Sequence, residues 1–223
     1  MNLTSDASVF WQGDFINLNL TIVTTWVVII AMVGLSWMVT RHLSTTVKTT
    51  RWQNALEVVI LFIQTQIREL GLPKPERYLS FVVTLFIFNA FCAIGNIIPG
   101  YESPTASLST TTALAVCVFL AVPFFGISER GLGHYLKRYI EPNFLMLPVN
   151  VITEFSRTLA LAFRLFGNMA SDSMIVGIIL LVAPLIFPIV LQVFGLLTGL
   201  VQAYIFTILA LVYIAAAVSG REG

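Results

Sequence analysis

Charge is scarce in this sequence. Only 10% of its residues are Asp, Glu, Lys or Arg and 57% are hydrophobic, where soluble domains carry roughly a quarter charged and 45 to 50% apolar residues. That balance excludes an ordinary water-soluble globule and implies a polytopic membrane protein. The net charge is +1 and the basic residues are dispersed, which excludes a nucleic-acid partner that needs a basic patch. The two cysteines, Cys92 and Cys117, sit in apolar runs without metal-ligand spacing and are expected as helix-packing residues. The two histidines, His42 and His134, fall in or beside loops. They are expected on solvated surface, which excludes a pair of haem ligands within the spans. The sequence has no phosphate-binding glycine loop and no metal cluster, so no catalytic residue, cofactor or metal is expected. A cleavable leader is not expected either, since residues 1–18 are polar and carry Asp6 and Asp14 rather than a basic start.

What is present is apolar sequence in helix-sized lengths. A first span is expected over 20–40, long enough to cross a hydrocarbon core of ~30 Å at 1.5 Å per residue. Further spans are expected over 78–98 and 108–127, separated by Pro99-Gly100 and Pro104. From Pro148 to Ser219 the chain is apolar almost throughout, and its break between Pro184 and Pro188 divides it into helices over 148–182 and 185–219. The first of these would be roughly 50 Å long, so the pair is expected to form a slanted hairpin resting on a protein surface. The stretch 43–70 differs. Leu56, Val59, Ile60, Ile63, Ile67 and Leu70 recur at spacings of three and four among Lys48, Arg51, Glu57, Arg68 and Glu69, the pattern of an amphipathic interfacial helix. The expected fold is therefore an all-α integral membrane protein forming one domain, 1–223, with six helices, five of them transmembrane, behind an external tail, 1–18.

Ten basic residues lie outside the spans: Arg41, Lys48, Arg51, Arg68, Lys74, Arg77, Arg130, Lys137, Arg138 and Arg221. All follow the first span, follow the fourth helix or stand at the C-terminus. By the positive-inside rule the N-terminus is expected outside and the C-terminus in the cytoplasm, consistent with five crossings. A reporter at Ser103 should then face outside and one at Lys137 the cytoplasm.

Arg164 is the residue that demands explanation. It lies deep in an apolar run, where a charge near the bilayer centre costs ~2.5 to 3.5 kcal/mol on insertion scales. At 100° per residue Asn150, Thr153, Arg157, Arg164, Asn168 and Ser171 share one face within about 40°, with Glu154 and Asp172 at its edge, about 80° from Arg164. Such a stripe can solvate a path for protons or small cations, or serve as interhelical hydrogen bonds with a Glu154–Arg157 pair. Arg164 could pair with Asp172, but its guanidinium stays charged where a desolvated lysine could lose its proton. On the last helix Gln192, Gly195, Gly199 and Gln202 recur at spacings of three and four, with Tyr213 further along. Small residues permit close backbone approach, and an amide facing lipid would be costly. Asn89, Asn96 and Glu102 could line an outer vestibule or act in capping and packing.

Two segments carry a family resemblance. Arg164-Leu165-Phe166-Gly167-Asn168-Met169 and Gly199-Leu200-Val201-Gln202-Ala203-Tyr204-Ile205-Phe206 resemble the signature segments of subunit a of F-type ATP synthases, and helix count and topology agree over nearly the whole chain. The resemblance implies an ion-translocating stator subunit without a catalytic site of its own. Its slanted hairpin would embrace a rotating ring of c subunits, beside peripheral-stalk b subunits, in the cell's inner (plasma) membrane. Two half-channels would lead the transported proton or sodium ion to and from the ring. Arg164, Asn168 and Gln202 match the family's stator arginine, the asparagine after it and the glutamine of the last helix. The departures are Ser173 nine residues after the arginine, with Asp172 before it, Gly195 seven before the glutamine, and Asn150 fourteen before the arginine, with Glu154 one turn on. Glu154-Phe155-Ser156-Arg157-Thr158-Leu159-Ala160 is similar to the N-type branch, in which sodium coupling is an alternative to proton coupling. From the direction of the fifth helix, Asp172, Asn168 and Gln202 are expected in the outside half-channel and Asn150, Thr153 and Glu154 in the cytoplasmic one. An independent secondary transporter would show an internal repeat around a midplane site, and none is evident.

Overall fold

The structure, a computed structural model, describes residues 9–12, 17–41, 51–72, 74–97, 101, 103–133, 135, 146–182 and 187–219. Six long helices carry the fold. They are α1 (Leu20–Thr40), α2 (Arg51–Glu69), α3 (Pro75–Gly95), α4 (Leu108–Arg130), α5 (Met146–Val182) and α6 (Phe187–Ser219). Every one but α2 contains a stretch long and apolar enough to cross a membrane, so the chain is a multipass membrane protein.

The helix ends differ from the sequence expectation where local stereochemistry sets them. α3 starts three residues before the expected Tyr78, because Pro75 occupies the first turn, where its missing N–H costs nothing. α4 runs past Ile127 to Arg130 and stops at Gly131, whose φ of 82° suits a residue without Cβ. α5 begins two residues before Pro148. The segments 43–50, 98–100, 183–186 and 220–223, with Glu102, His42, His134 and Lys137, lie outside the described residues. Ahead of α1 there is an unexpected element: strands β1 (Val9–Gln12) and β2 (Asn17–Asn19) pair antiparallel, with Val9 opposite Asn19 and Gln12 opposite Asn17. The all-α reading therefore holds for the membrane body, and part of the tail is a small ribbon.

Three apolar clusters stack along the bundle. At the rim where α3 begins and α4 and α6 end, Ile63 and Ile67 of α2 meet Tyr78, Val82, Phe125, Leu211 and Ile214. This explains the amphipathic pattern of α2, since its apolar stripe is a packing face. Midway, Leu85, Val118, Leu161, Leu165, Phe206 and Ala210 join α3, α4, α5 and α6. Toward the other rim Val28, Phe88 and Cys92 attach α1. Cys117, expected to pack, is exposed instead.

α6 is the central post. It packs against α3, α4 and α5, and 56% of its apolar stretch is buried, against 11% for that of α5. Close approach requires Gly199: a Cβ there would stand 2.8 Å from Ala93 Cβ and 3.2 Å from Met169 Cε. α5 and α6 are 37 and 33 residues long, about 55 and 50 Å at 1.5 Å per residue, so neither can stand upright in a ~30 Å core.

Candidate functional site

The packing of α5 decides which way Arg164 points. Leu161 and Leu165 are 2% and 0% exposed and anchor α5 in the middle cluster. Ala162 is buried beside them, whereas Phe163 and Arg164, turned off that face at 100° per residue, are exposed, as is Ala160. The hairpin is covered by α3 and α4 on one side. Its uncovered surface carries Phe155, Leu159 and Phe163 of α5 with Leu197, Val201 and Ile205 of α6, all exposed. Arg164 is itself exposed on α5, about 100° around the helix from Phe163 and on the side of Asn168 and Ser171.

Neither of the two ion pairs open to this helix, Glu154 with Arg157 or Arg164 with Asp172, is formed. Among the described residues the one ion pair is Arg77 with Glu129, at the rim where α3 begins. Arg157 lies with its guanidinium 5.7 Å from the centre of the Tyr213 ring rather than against Glu154. Such a contact places the cation over the negative face of the ring. Asp172 is held by α6: Thr198 donates its hydroxyl to Asp172 Oδ2 at 3.1 Å. Arg164 thus has no carboxylate at ion-pair distance among the described residues.

The rest of the stripe spreads along α5. Asn150, Glu154, Asn168 and Asp172 are half-buried, and Thr153 and Ser171 are exposed. Thr153 turns its hydroxyl back onto Val149 O at 2.7 Å, a common device for a hydroxyl on an apolar helix. The stripe is therefore half-buried in part and exposed in part along α5.

Gln202, expected to avoid lipid, is 5% exposed, and its Nε2 has no partner among the described residues. Asn89 of α3, expected at a vestibule, is 0% exposed; its Nδ2 donates to Leu85 O at 3.0 Å and its Oδ1 is unpartnered. α3 and α6 run antiparallel and come close at Ala93 and Gly199. One turn from that approach, Asn89 and Gln202 fall at similar depth, which brings an unpaired acceptor and an unpaired donor to the same stretch of interface. Buried groups of this kind are normally satisfied by water.

Beyond them residues 103–105 of the α3–α4 connection are buried. Ser103, expected as an outward reporter, is 1% exposed: its hydroxyl donates to Cys92 O at 3.2 Å and lies 2.8 Å from Thr105 Oγ1. Thr105 and Thr111 are likewise buried. Tyr101 lies against Gly95, and burial, with a smaller contribution from Cys92, pushes its phenol up to about 12. Asn96 is half-buried next to the end of α3.

Sequence reasoning missed Thr198 and the depth of Ser103. The signal for Thr198 was its spacing, three residues after Gly195 and four before Gln202, which places it on the same face of α6.

Known proteins match the whole chain. The family model described as ATP synthase A chain covers residues 22–215. An "ATP synthase subunit a" of Albidiferax ferrireducens is 59% identical over 100% of this chain and 96% of its own length. The "ATP synthase subunit a 1" of Chlorobaculum parvum is 57% identical, covering 100% of this chain and 98% of its own. That of Prosthecochloris aestuarii is 55% identical with both chains fully covered.

Proposed function

This chain belongs to the ATP synthase A chain family, and from that premise we propose that it is the ion-translocating, non-catalytic stator subunit of an F-type ATP synthase membrane sector. The observation that carries the reading is Arg164. It is a permanent cation exposed on an apolar helix, with no carboxylate at ion-pair distance among the described residues. Leaving such a group toward lipid costs ~2.5 to 3.5 kcal/mol or more, so its counter-charge is expected from a partner. A ring of c subunits carrying a carboxylate at the same depth meets that need.

The chemistry follows from charge. A guanidinium does not lose its proton under these conditions, so each ring carboxylate passing it is favoured in its ionised form. The bound ion must leave before the carboxylate passes and be replaced after. Coupling then requires two separate access routes. Asp172, Asn168, Gln202 and Asn89 form the one we assign to the outside. Asn150, Thr153 and Glu154 form the one we assign to the cytoplasm. Glu154 and Asp172 are ten and eight residues from Arg164 on opposite sides, about 15 and 12 Å along the helix, which gives the offset two half-channels need. In this reading protons are the coupling ion. The chain sits in the inner (plasma) membrane with the N-terminus outside, and peripheral-stalk b subunits hold it static against the ring.

Cross-linking tests the apposition. A cysteine at Phe163 or Leu197, both exposed on the uncovered face, should form a disulfide with cysteines placed beside the ring carboxylate in the assembled complex. Efficient assembly with no cross-link from either position would refute the assignment of this face to the ring.

A further inference from the structure

The α5–α6 interface holds a pair that the polar stripe of α5 does not include. Thr198 Oγ1 lies 3.1 Å from Asp172 Oδ2 and 3.0 Å from Gly195 O. A hydroxyl has one hydrogen and two lone pairs, so it can donate to only one of these acceptors at a time. Gly195 keeps the place open: a Cβ on it would stand 3.6 Å from Asp172 Oδ2. A longer side chain directed there would take the space of the carboxylate.

We infer that Thr198 is a positioning residue that makes Asp172 a proton-exchanging group of the path, by giving each of its protonation states a hydrogen bond. With the carboxylate ionised, Thr198 donates to Oδ2. When a proton arrives on Asp172, the new O–H donates to Thr198 Oγ1 and the threonine hydrogen turns to the Gly195 carbonyl. When that proton leaves toward the ring, the hydroxyl turns back. One proton enters, one leaves, and the pair keeps a hydrogen bond in both states, so neither state is a trap. Among the described residues, α4, the Pro104–Ala106 turn and α6 present no other charged or acidic group near Asp172, and on its own helix the next charge is Arg164, two turns away.

This inference rests on the ion-translocating reading above, and its test separates the two. The assembled complex is reconstituted in vesicles, and ATP synthesis driven by an imposed proton gradient is followed as a function of external pH. Thr198→Val, which keeps the shape and removes the hydroxyl, is expected to slow synthesis about tenfold, the effect of losing one charge-assisted hydrogen bond, and to displace the pH profile. Thr198→Ser should restore both to within about twofold. In an Asp172→Asn background, Thr198→Val should add nothing, because the hydroxyl acts through the carboxylate. Should Thr198→Val fail to assemble, Thr198→Cys, a weaker donor, carries the same expectation in smaller measure. A wild-type rate and profile without the hydroxyl, or independent losses at the two positions, overturns the inference. So does a rate that follows sodium concentration at fixed pH, which would make the three oxygens an alkali-cation site. Failure of the parent reading is distinct: there, Arg164→Ala itself would retain coupled synthesis.

Discussion

Gly199 offers the sharpest structural prediction, because a single methyl group tests how α6 is seated. An Ala at this position would place Cβ 2.8 Å from Ala93 Cβ, 3.2 Å from Met169 Cε and 3.6 Å from Ala93 Cα. Methionine can swing its methyl aside. Ala93 is 1% exposed and has no freedom except with its backbone. Relief to an ordinary carbon–carbon separation of about 3.5 to 4 Å requires the two helices to part by roughly 1 Å, and overpacking of this kind costs about 1 to 3 kcal/mol. Gly199→Ala should therefore lower the thermal stability of the assembled membrane sector. It should also impair ion-driven ATP synthesis, since Gln202 and Asn89 lie one turn from the contact. Ala93→Gly removes the opposing methyl group, so the double variant Ala93→Gly with Gly199→Ala should recover more than half of the lost stability. Equal melting of Gly199→Ala and the wild type, or a double variant no better than the single one, would show that α3 and α6 are not in contact there.

Gln202→Leu separates a structural from a functional role for the buried amide. Its Nε2 has no partner among the described residues, and an unsatisfied buried donor costs about 1 to 3 kcal/mol, so the leucine variant should melt no lower than the wild type while losing about tenfold in synthesis. A destabilised but fully active variant would make Gln202 a packing residue. For orientation, a cysteine at Ile97, exposed beside the end of α3, should react with an impermeant reagent from outside, and one at Gly133, exposed after α4, only from the cytoplasmic side. The opposite pattern would overturn the topology read from the basic residues.

The membrane body was legible because its signals are long and repeated. Spans of about twenty apolar residues and the three-and-four spacing of Ile63 and Ile67 each report a local rule, and each corresponds to an observed helix or packing face, while the ends set by Pro75 and Gly131 lie three residues from those expected. The importance of Arg164 was legible from its charge in an apolar run, but its outward direction follows only from the burial of Leu161 and Leu165 in the structure. Contacts between distant segments were not. Thr198 on an apolar helix is most simply satisfied by its own backbone, and only the seating of α5 against α6 brings Asp172 to it. Ser103 was read as exposed because connections usually run over the surface. Here Ser103 is buried against α3, and its hydroxyl is satisfied by Cys92 O. Pairs expected from i,i+3 spacing, such as Glu154 with Arg157, lost to an aromatic ring on the neighbouring helix that spacing along α5 cannot reveal.

The central claim is that the fixed charge of Arg164 enforces release of the ion before a ring carboxylate passes. It is tested most directly by reconstituting assembled Arg164→Ala complex in vesicles and measuring gradient-driven ATP synthesis together with passive proton flux. The account predicts that coupled synthesis is abolished, with assembly intact and passive flux raised. Arg164→Lys should rescue poorly, because desolvation can neutralise an ammonium but not the guanidinium. Wild-type coupled synthesis in the alanine variant, with no added leak, would contradict it and leave Arg164 a structural residue.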